Sequence, residues 1–449
     1  MDLIRRYEVN GPRYTSYPTA NLFRDDFDPS IYEAALAERA HASLSIYVHV
    51  PFCATVCYYC ACNRIITNNR RHAVGYLQRL KREIALVRER LSDSHRVEQL
   101  HFGGGTPTYL DDAQLGDLFA VLRDHFRFGD EADSDISIEI DPRTVDAARI
   151  EHLARLGINR MSLGVQDFDP HVQAAVNRRQ SAEDTRAVME AARGSGVRSL
   201  SVDLIYGLPL QTRERFAVTL DTVIALNPDR ISLYSYAHLP GRFKTQRQIQ
   251  LMDLPNAETK LLLLQMAVER FSAAGYVYIG MDHFARPDDS LARAQAAHRL
   301  HRNFQGYTTH GHCDLIGLGV SAISQVGTVY AQNCKALDAY TERLDRGQLA
   351  VERGLIMTAD DQIRRDLILE LMCHFRVDTV DFSRRHGIDF AGYFAAALAR
   401  LKVMAEDDLV ELKADTIIVT RRGRFLIRNV CMAFDAHLAP GTQGFSKAI

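Results

Sequence analysis

From about residue 44 to residue 236 the chain alternates short β-rich runs with helix-length amphipathic stretches, and this rhythm restricts the fold more than any other feature. The strand candidates are 44–50, 97–102, 136–140, 160–165, 200–205 and 230–236. Helix candidates lie between them at 73–90, 111–125, 145–156, 182–193 and 211–226. Connections this long are not hairpins; they return the chain across a sheet, so that successive strands run parallel through right-handed crossovers. Six such units predict an α/β fold, a partial parallel (β/α)6-type barrel. Loops at the carboxyl ends of parallel strands open on one side and form the active face. Residues able to do chemistry fall there one after another: Cys53 after the first strand, Gly103 to Pro107 after the second, Glu139 and Asp141 at the third, Gln166 and Asp167 at the fourth, and Asp203 at the fifth.

The loop after the first strand holds Cys53, Cys57, Cys60 and Cys62, half of the eight cysteines in the chain. The first three are spaced Cys-x3-Cys-x2-Cys, which lets one loop aim three thiolates at one small object. Soft thiolates favour iron in sulfide-bridged clusters, and a four-iron cluster held by three cysteines leaves one iron open to a non-protein ligand. Structural zinc usually takes two separated ligand pairs, and no second pair follows at such spacing. A disulfide framework fits less well still, because Cys313, Cys334, Cys373 and Cys431 are widely scattered.

With 54 basic and 56 acidic side chains the formal net charge is -2, so no global field points to nucleic acid or a membrane surface. The first residues lack an apolar signal core, and no run of about 18 apolar residues occurs. These features predict a soluble protein of a reducing, cytoplasmic compartment. No coiled-coil heptad argues for assembly, so a monomer is the expectation. Beyond residue 340 the character changes. Thr358 reads as an N-cap before an amphipathic run from Gln362 to Phe375, a second helix spans 390–404, and two short strands follow near 409–412 and 416–419. The expected organisation is a 1–40 extension serving as a lid, a 41–340 catalytic domain, and a small helical, winged-helix-like domain at 341–449.

The cysteine loop resembles that of the radical S-adenosylmethionine superfamily. There the amine and carboxylate of S-adenosylmethionine occupy the open iron of a [4Fe–4S] cluster, and an electron from the cluster yields methionine and a 5′-deoxyadenosyl radical. Longer segments narrow the likeness: Gly11 to Ala20, His101 to Leu110, Gly164 to Phe168, Gly280 to Pro287, Phe304 to Thr309 and Gly317 to Ser324 all resemble the oxygen-independent coproporphyrinogen III oxidase family. That resemblance implies conversion of two propionates of coproporphyrinogen III to vinyl groups, giving protoporphyrinogen IX, in haem biosynthesis. It also implies an electron donor and a terminal acceptor, which the sequence does not identify. A related family serves as haem-binding chaperones. Its members usually have an aromatic residue at the position of Cys62 and lack the segment around Arg13, so both features favour the oxidase.

By motif position the resemblance implies that Cys53, Cys57 and Cys60 ligate the cluster, with Cys62 a neighbour rather than a fourth ligand. Tyr47, Gly104 and Glu139 would contact the bound S-adenosylmethionine. Tyr59, Gly105, Thr106, Gln166, Arg178, Asp203, Ala237 and Ile323 would hold a second molecule of it. Two departures stand out: Tyr59 replaces a common phenylalanine, and His310-Gly311-His312 replaces a typical Gln-Gly-Asp. Arg13, His310 and His312 are candidate contacts for a propionate-rich anion.

Overall fold

In the computed structural model, which describes residues 6–39, 43–129 and 134–438, the chain forms two compact units. The larger comprises 23–255 and 312–356; the smaller comprises 6–22, 256–311 and the chain from 357 onward. This division departs from the contiguous three-part organisation expected, because the chain leaves the larger unit at 255 and re-enters it at 312.

The larger unit is built on a sheet whose strands are β1 (Ser43–Val50), β2 (Arg96–Gly104), β3 (Asp135–Ile140), β4 (Arg160–Gln166), β5 (Ser199–Tyr206), β6 (Arg230–Ser235), β7 (Asp314–Leu318), β8 (Ile323–Val326), β9 (Val329–Asn333) and β10 (Val351–Ile356). Within this unit they are ordered β10-β9-β8-β7-β1-β2-β3-β4-β5-β6. Strands β7 and β1 to β6 are all parallel, whereas β8, β9 and β10 join as antiparallel additions. The six predicted strands coincide with β1 to β6 to within about two residues, the usual uncertainty of an element end. The helices that return the chain are α1 (Arg71–Arg88), α2 (Asp112–His125), α3 (Ala147–Arg155), α4 (Ala182–Gly194) and α5 (Arg213–Leu226). The starts of α2 to α5 are set by side-chain caps: Asp111 accepts from Gln114 N in a full capping box, and Asp146, Ser181 and Thr212 cap the next three. Alternate residues of β3 and β4 are buried, as a half-covered strand requires.

The described residues 6–39 are divided between the two units. The helix Pro29–Glu38 belongs to the larger unit, where the Tyr32 hydroxyl donates to Ser324 Oγ at 3.0 Å and Arg39 pairs with Asp314 at 2.7 Å. Tyr14 and Tyr17 are instead core residues of the smaller unit. They pack with Leu371, Cys431 and Phe434, and Tyr14 donates to Asp435 at 2.9 Å. Burying two tyrosines with their hydroxyls satisfied anchors this segment, since an unpaired buried hydroxyl is costly.

In the smaller unit the helix Ala359–His374 starts at Thr358 with a capping box to Asp361. The strands Val410–Leu412 and Thr416–Val419 gain a third partner, Arg376–Asp378, and an extra helix Thr379–His386 follows it. Among the described residues no helix is long and apolar enough to cross a membrane.

Candidate active site

The cysteine loop leaves the carboxyl end of β1 and is tied down on all sides. Phe52–Cys53 pairs in parallel with Ile65–Ile66, Ile65 N donates to Pro51 O at 2.7 Å, and Thr67 N donates to Cys53 O at 3.0 Å. Tyr58 N reaches Val176 O at 3.0 Å, while the Arg64 guanidinium donates to the carbonyls of Cys60 and Cys62 at 2.9 and 3.2 Å. The backbone is thereby fixed and the thiols remain available. Thr106 Oγ1 donates to Cys53 Sγ at 3.4 Å, and Arg178 and Arg143 approach Cys57 Sγ at 3.6 and 3.9 Å.

The glycines after β2 make room for this loop. Gly105 N donates to Val50 O at 2.8 Å, so close that a Cβ on Gly105 would sit 2.8 Å from the backbone of Pro51 and Phe52. Gly104 has φ +116°, a conformation L side chains rarely adopt, and a Cβ there would strike the His49 ring at 2.6 Å.

Cys53, Cys57 and Cys60 share the wall of a cavity of about 340 Å³ with Tyr59, Gly104, Gly105, Thr106, Glu139, Gln166, Arg178 and Asp203. Eight of the eleven residues implied as cofactor contacts therefore converge with the three implied ligands. Tyr47, Ala237 and Ile323 are not part of this wall. Tyr47 lies on β1, stacked on His101 at 5.8 Å between centroids, and its hydroxyl donates to His49 Nδ1 at 3.0 Å. His49 Nε2 donates to the Asn63 carbonyl at 2.9 Å, and burial lowers the ring's pKa, which favours the neutral form with Nδ1 as acceptor. Ala237 is joined to Tyr59 through Gln246, whose amide donates to both carbonyls at 3.2 and 3.0 Å. Ile323 begins β8.

Two carboxylates set the charge of the cavity. Burial raises the Glu139 carboxyl, but hydrogen bonds and charge from His101 and the Gly104 N–H outweigh it and hold the group below its ordinary value. Burial likewise raises Asp141, and Arg143 (2.6 Å) with Arg178 (3.1 Å) brings it down. Both are therefore anions near neutrality. Burial pushes the Cys53 thiol up to about 11. Cys60 moves the other way, to about 6, because Cys62 hydrogen-bonds to it and Arg64 and Arg178 supply positive charge. Cys62 is exposed and serves its neighbour as a donor.

The donor set fits an iron–sulfur cluster. A single metal ion draws ligand atoms to within about 4 Å of one another. Among the described residues only Glu98, His312 and Cys313 bring three such atoms within 4.8 Å, so the loop thiols stand wider apart, as a multi-iron core requires. The wall also fits a polar organic ligand. Arg178 Nε is buried with no hydrogen-bond partner, although the same guanidinium bonds Asp141 and the Gly164 carbonyl (2.5 Å). A buried cationic N–H left unmet is costly, and Glu139, Gln166 and Asp203 add further polar groups to the same wall.

Other expectations separate from this site. Asp167 is buried in a structural knot, accepting from Gln211, Thr219 and the Asp169 N–H at 2.6–2.8 Å. His312 precedes the amino-terminal end of β7, at the opposite edge of the sheet from the cysteine loop, and pairs with Glu98 at 2.8 Å. The length of β1 alone separates these edges by more than about 20 Å, so His312 does not contact a ligand at the cysteine loop. Arg13 and His310 lie in the smaller unit. Arg13 faces Asp282 at 3.6 Å, and His310 N donates to Thr308 Oγ1 at 3.0 Å. Sequence reading passed over Arg143 and His49. Arg143 sits two residues beyond Asp141, an acid-then-base pattern after a strand that could have flagged it.

Comparison with known proteins agrees with this fold. The family model described as "Radical SAM superfamily" matches residues 47–223, and "HemN C-terminal domain" matches 357–426. A Pseudomonas aeruginosa protein named oxygen-independent coproporphyrinogen III oxidase is 53% identical over all of this chain and 98% of its own length. A Synechocystis protein of the same name is 43% identical over all of this chain and 97% of its own. The solved structure of coproporphyrinogen III oxidase (HemN) from Escherichia coli, described as a radical SAM enzyme, superposes with a TM-score of 0.92 at 49% identity, covering 95% of this chain and 98% of that one.

Proposed function

The chain belongs to the oxygen-independent coproporphyrinogen III oxidase family of radical S-adenosylmethionine enzymes, and from that premise we propose how its residues divide the work. It is an enzyme of haem biosynthesis. The reaction converts two propionates of coproporphyrinogen III to vinyl groups and releases two molecules of carbon dioxide.

Cys53, Cys57 and Cys60 hold the [4Fe–4S] cluster, and Cys62 donates to Cys60 without ligating. With S-adenosylmethionine bound, the cluster these thiols would hold would supply one-electron reductive chemistry, serving hydrogen removal at the propionate β-carbon. The chain's residues bind and orient. Glu139, kept anionic by His101 and the Gly104 N–H, receives the cofactor's ammonium, and the bare backbone at Gly104 admits its methionyl part. Tyr47 acts from behind, its hydroxyl committed to His49. Arg178 receives a carboxylate through its guanidinium, and Asp203 and Gln166 offer acceptors and donors to ribose hydroxyls. A second S-adenosylmethionine uses Tyr59, Gly105, Thr106, Gln166, Arg178, Asp203, Ala237 and Ile323. Arg13 and His310 receive substrate propionates. The enzyme works as a monomer in a cytoplasmic, reducing setting, with a separate low-potential donor and a terminal acceptor.

The single observation that carries this division is the meeting of Cys53, Cys57 and Cys60 with Glu139, Arg178 and Asp203 on the wall of one cavity. The test is anaerobic incubation of reconstituted protein with S-adenosylmethionine, a reductant and coproporphyrinogen III. Vinyl product with matching carbon dioxide is expected. Stable haem binding without vinyl product would assign a haem-carrier role instead.

A further inference from the structure

At the edge of the sheet opposite the cysteine loop, three unlike donors meet. His312 Nε2 lies 2.8 Å from Glu98 Oε2, and Cys313 Sγ lies 3.8 Å from the same oxygen and 3.7 Å from His312 Nε2. All three atoms fall within 4.8 Å of one another, which holds for no other set of three among the described residues. The strands force this meeting. Leu44 of β1 pairs with Val97 and Ser45 with Gln99, so Glu98 is the extra residue of a bulge in β2. Bulges re-aim a side chain out of the regular pleat. On the other side of β1, Leu44 pairs with Asp314, which places Cys313 beside the start of the same strand. Ser43 at that start donates to the other Glu98 oxygen, Oε1, at 2.5 Å, fixing the carboxylate's orientation in the manner of an outer-shell partner.

We propose that Glu98, His312 and Cys313 form a divalent-metal site of zinc type, distinct from the iron–sulfur centre. The set matches that chemistry. Thiolate, imidazole and carboxylate together suit a borderline-soft ion, and tetrahedral bonds of about 2.3 Å to sulfur and about 2.0 Å to nitrogen or oxygen place nitrogen and oxygen about 3.3 Å apart and each about 3.5 Å from sulfur. The two sulfur distances, 3.8 and 3.7 Å, need to close by only about 0.2–0.3 Å to reach that geometry. The nitrogen–oxygen pair must open by about half an ångström to reach that spacing. The His312 side chain is 60% exposed and has room to do so. On binding, three metal–ligand bonds form. The Cys313 thiol proton leaves to solvent, the imidazole proton moves from Nε2 to Nδ1, and no electron is transferred. Water completes the fourth position. The ion bridges β2 and β7 across the start of β1 and clamps the three strands.

The test uses the cluster-loaded holoprotein, so that the loop thiols are already occupied. Equilibrium dialysis against zinc, with zinc and iron counted separately, is expected to give one zinc per chain with no loss of iron. Cys313→Ser and His312→Gln should each weaken binding at least about tenfold while leaving iron content unchanged. His312→Gln alters an exposed side chain, so it carries the test if Cys313→Ser fails to fold. Absence of stoichiometric zinc, zinc uptake matched by iron loss, or variants that bind like the parent would each overturn the site.

Discussion

The two ends of the same parallel strands are built by opposite rules. At the amino-terminal edge most charges cancel locally: Arg160 pairs with Asp135 at 2.7 Å and Arg39 with Asp314 at 2.7 Å. At the carboxyl edge thiols line a cavity, Glu139 is 43% exposed to it, and Arg178 keeps a buried N–H unmet. A satisfied edge stabilises a sheet, whereas an unsatisfied one is costly by itself and is tolerated where a ligand completes it. The contrast therefore locates the chemistry without reference to any relative.

Exchanging damage between the two edges tests the contrast. The largest effect is expected from Cys57→Ala, which should abolish both cluster iron and vinyl product; measurable turnover in that variant would break the comparison. Arg178→Gln should follow. Losing a hydrogen bond to a charged group costs about 1.5–3 kcal/mol, or roughly a 10–100-fold rise in the S-adenosylmethionine dissociation constant. Arg178→Lys should not rescue it, because a lysine lacks the fork that serves Asp141 and a ligand together. At the other edge Arg160→Gln should lower the melting temperature by breaking the partly buried ion pair with Asp135, with turnover per folded, cluster-loaded chain unchanged. A fall in that specific turnover would show that the edges are not independent.

The smallest effect concerns the support of the carboxyl end of β7. The buried Glu83 carboxylate accepts from Gly319 N at 2.7 Å, Asn333 Nδ2 at 2.5 Å and Tyr340 at 2.6 Å, yet burial raises its pKa from 4.5 to about 7. Between these values the unfolded chain gives up the proton and the folded chain keeps it. Stability from this group therefore declines as pH rises from 4.5 to about 7 and is flat above. Glu83→Gln should remove that slope in denaturant titrations across the window; an unchanged slope would place the titration elsewhere.

The parallel core was legible because β1 to β6 are separated by helices with clear caps and periodicity. Strands β7 and β9 were not, since all five residues of each are buried and no alternation marks them. The discontinuous units were hidden for a related reason: Tyr14 and Tyr17 reach their partners across some 400 positions of sequence, a pairing that no local pattern encodes. At the site, motif positions foresaw the cavity wall, but not the His49 prop behind Tyr47 or the Arg143 brace on Asp141. Glu98 was invisible because its direction depends on a one-residue bulge, and register is a property of two strands rather than one.

The central claim is that three cysteines hold the cluster and Cys62 does not, which leaves one iron for S-adenosylmethionine. The most direct measurement is the electron paramagnetic resonance spectrum of the reduced Cys62→Ala protein with and without S-adenosylmethionine, alongside its iron content. The account predicts iron equal to that of the parent and a spectrum that shifts when S-adenosylmethionine is added. Loss of cluster iron in Cys62→Ala, or a parent spectrum indifferent to S-adenosylmethionine, would contradict it.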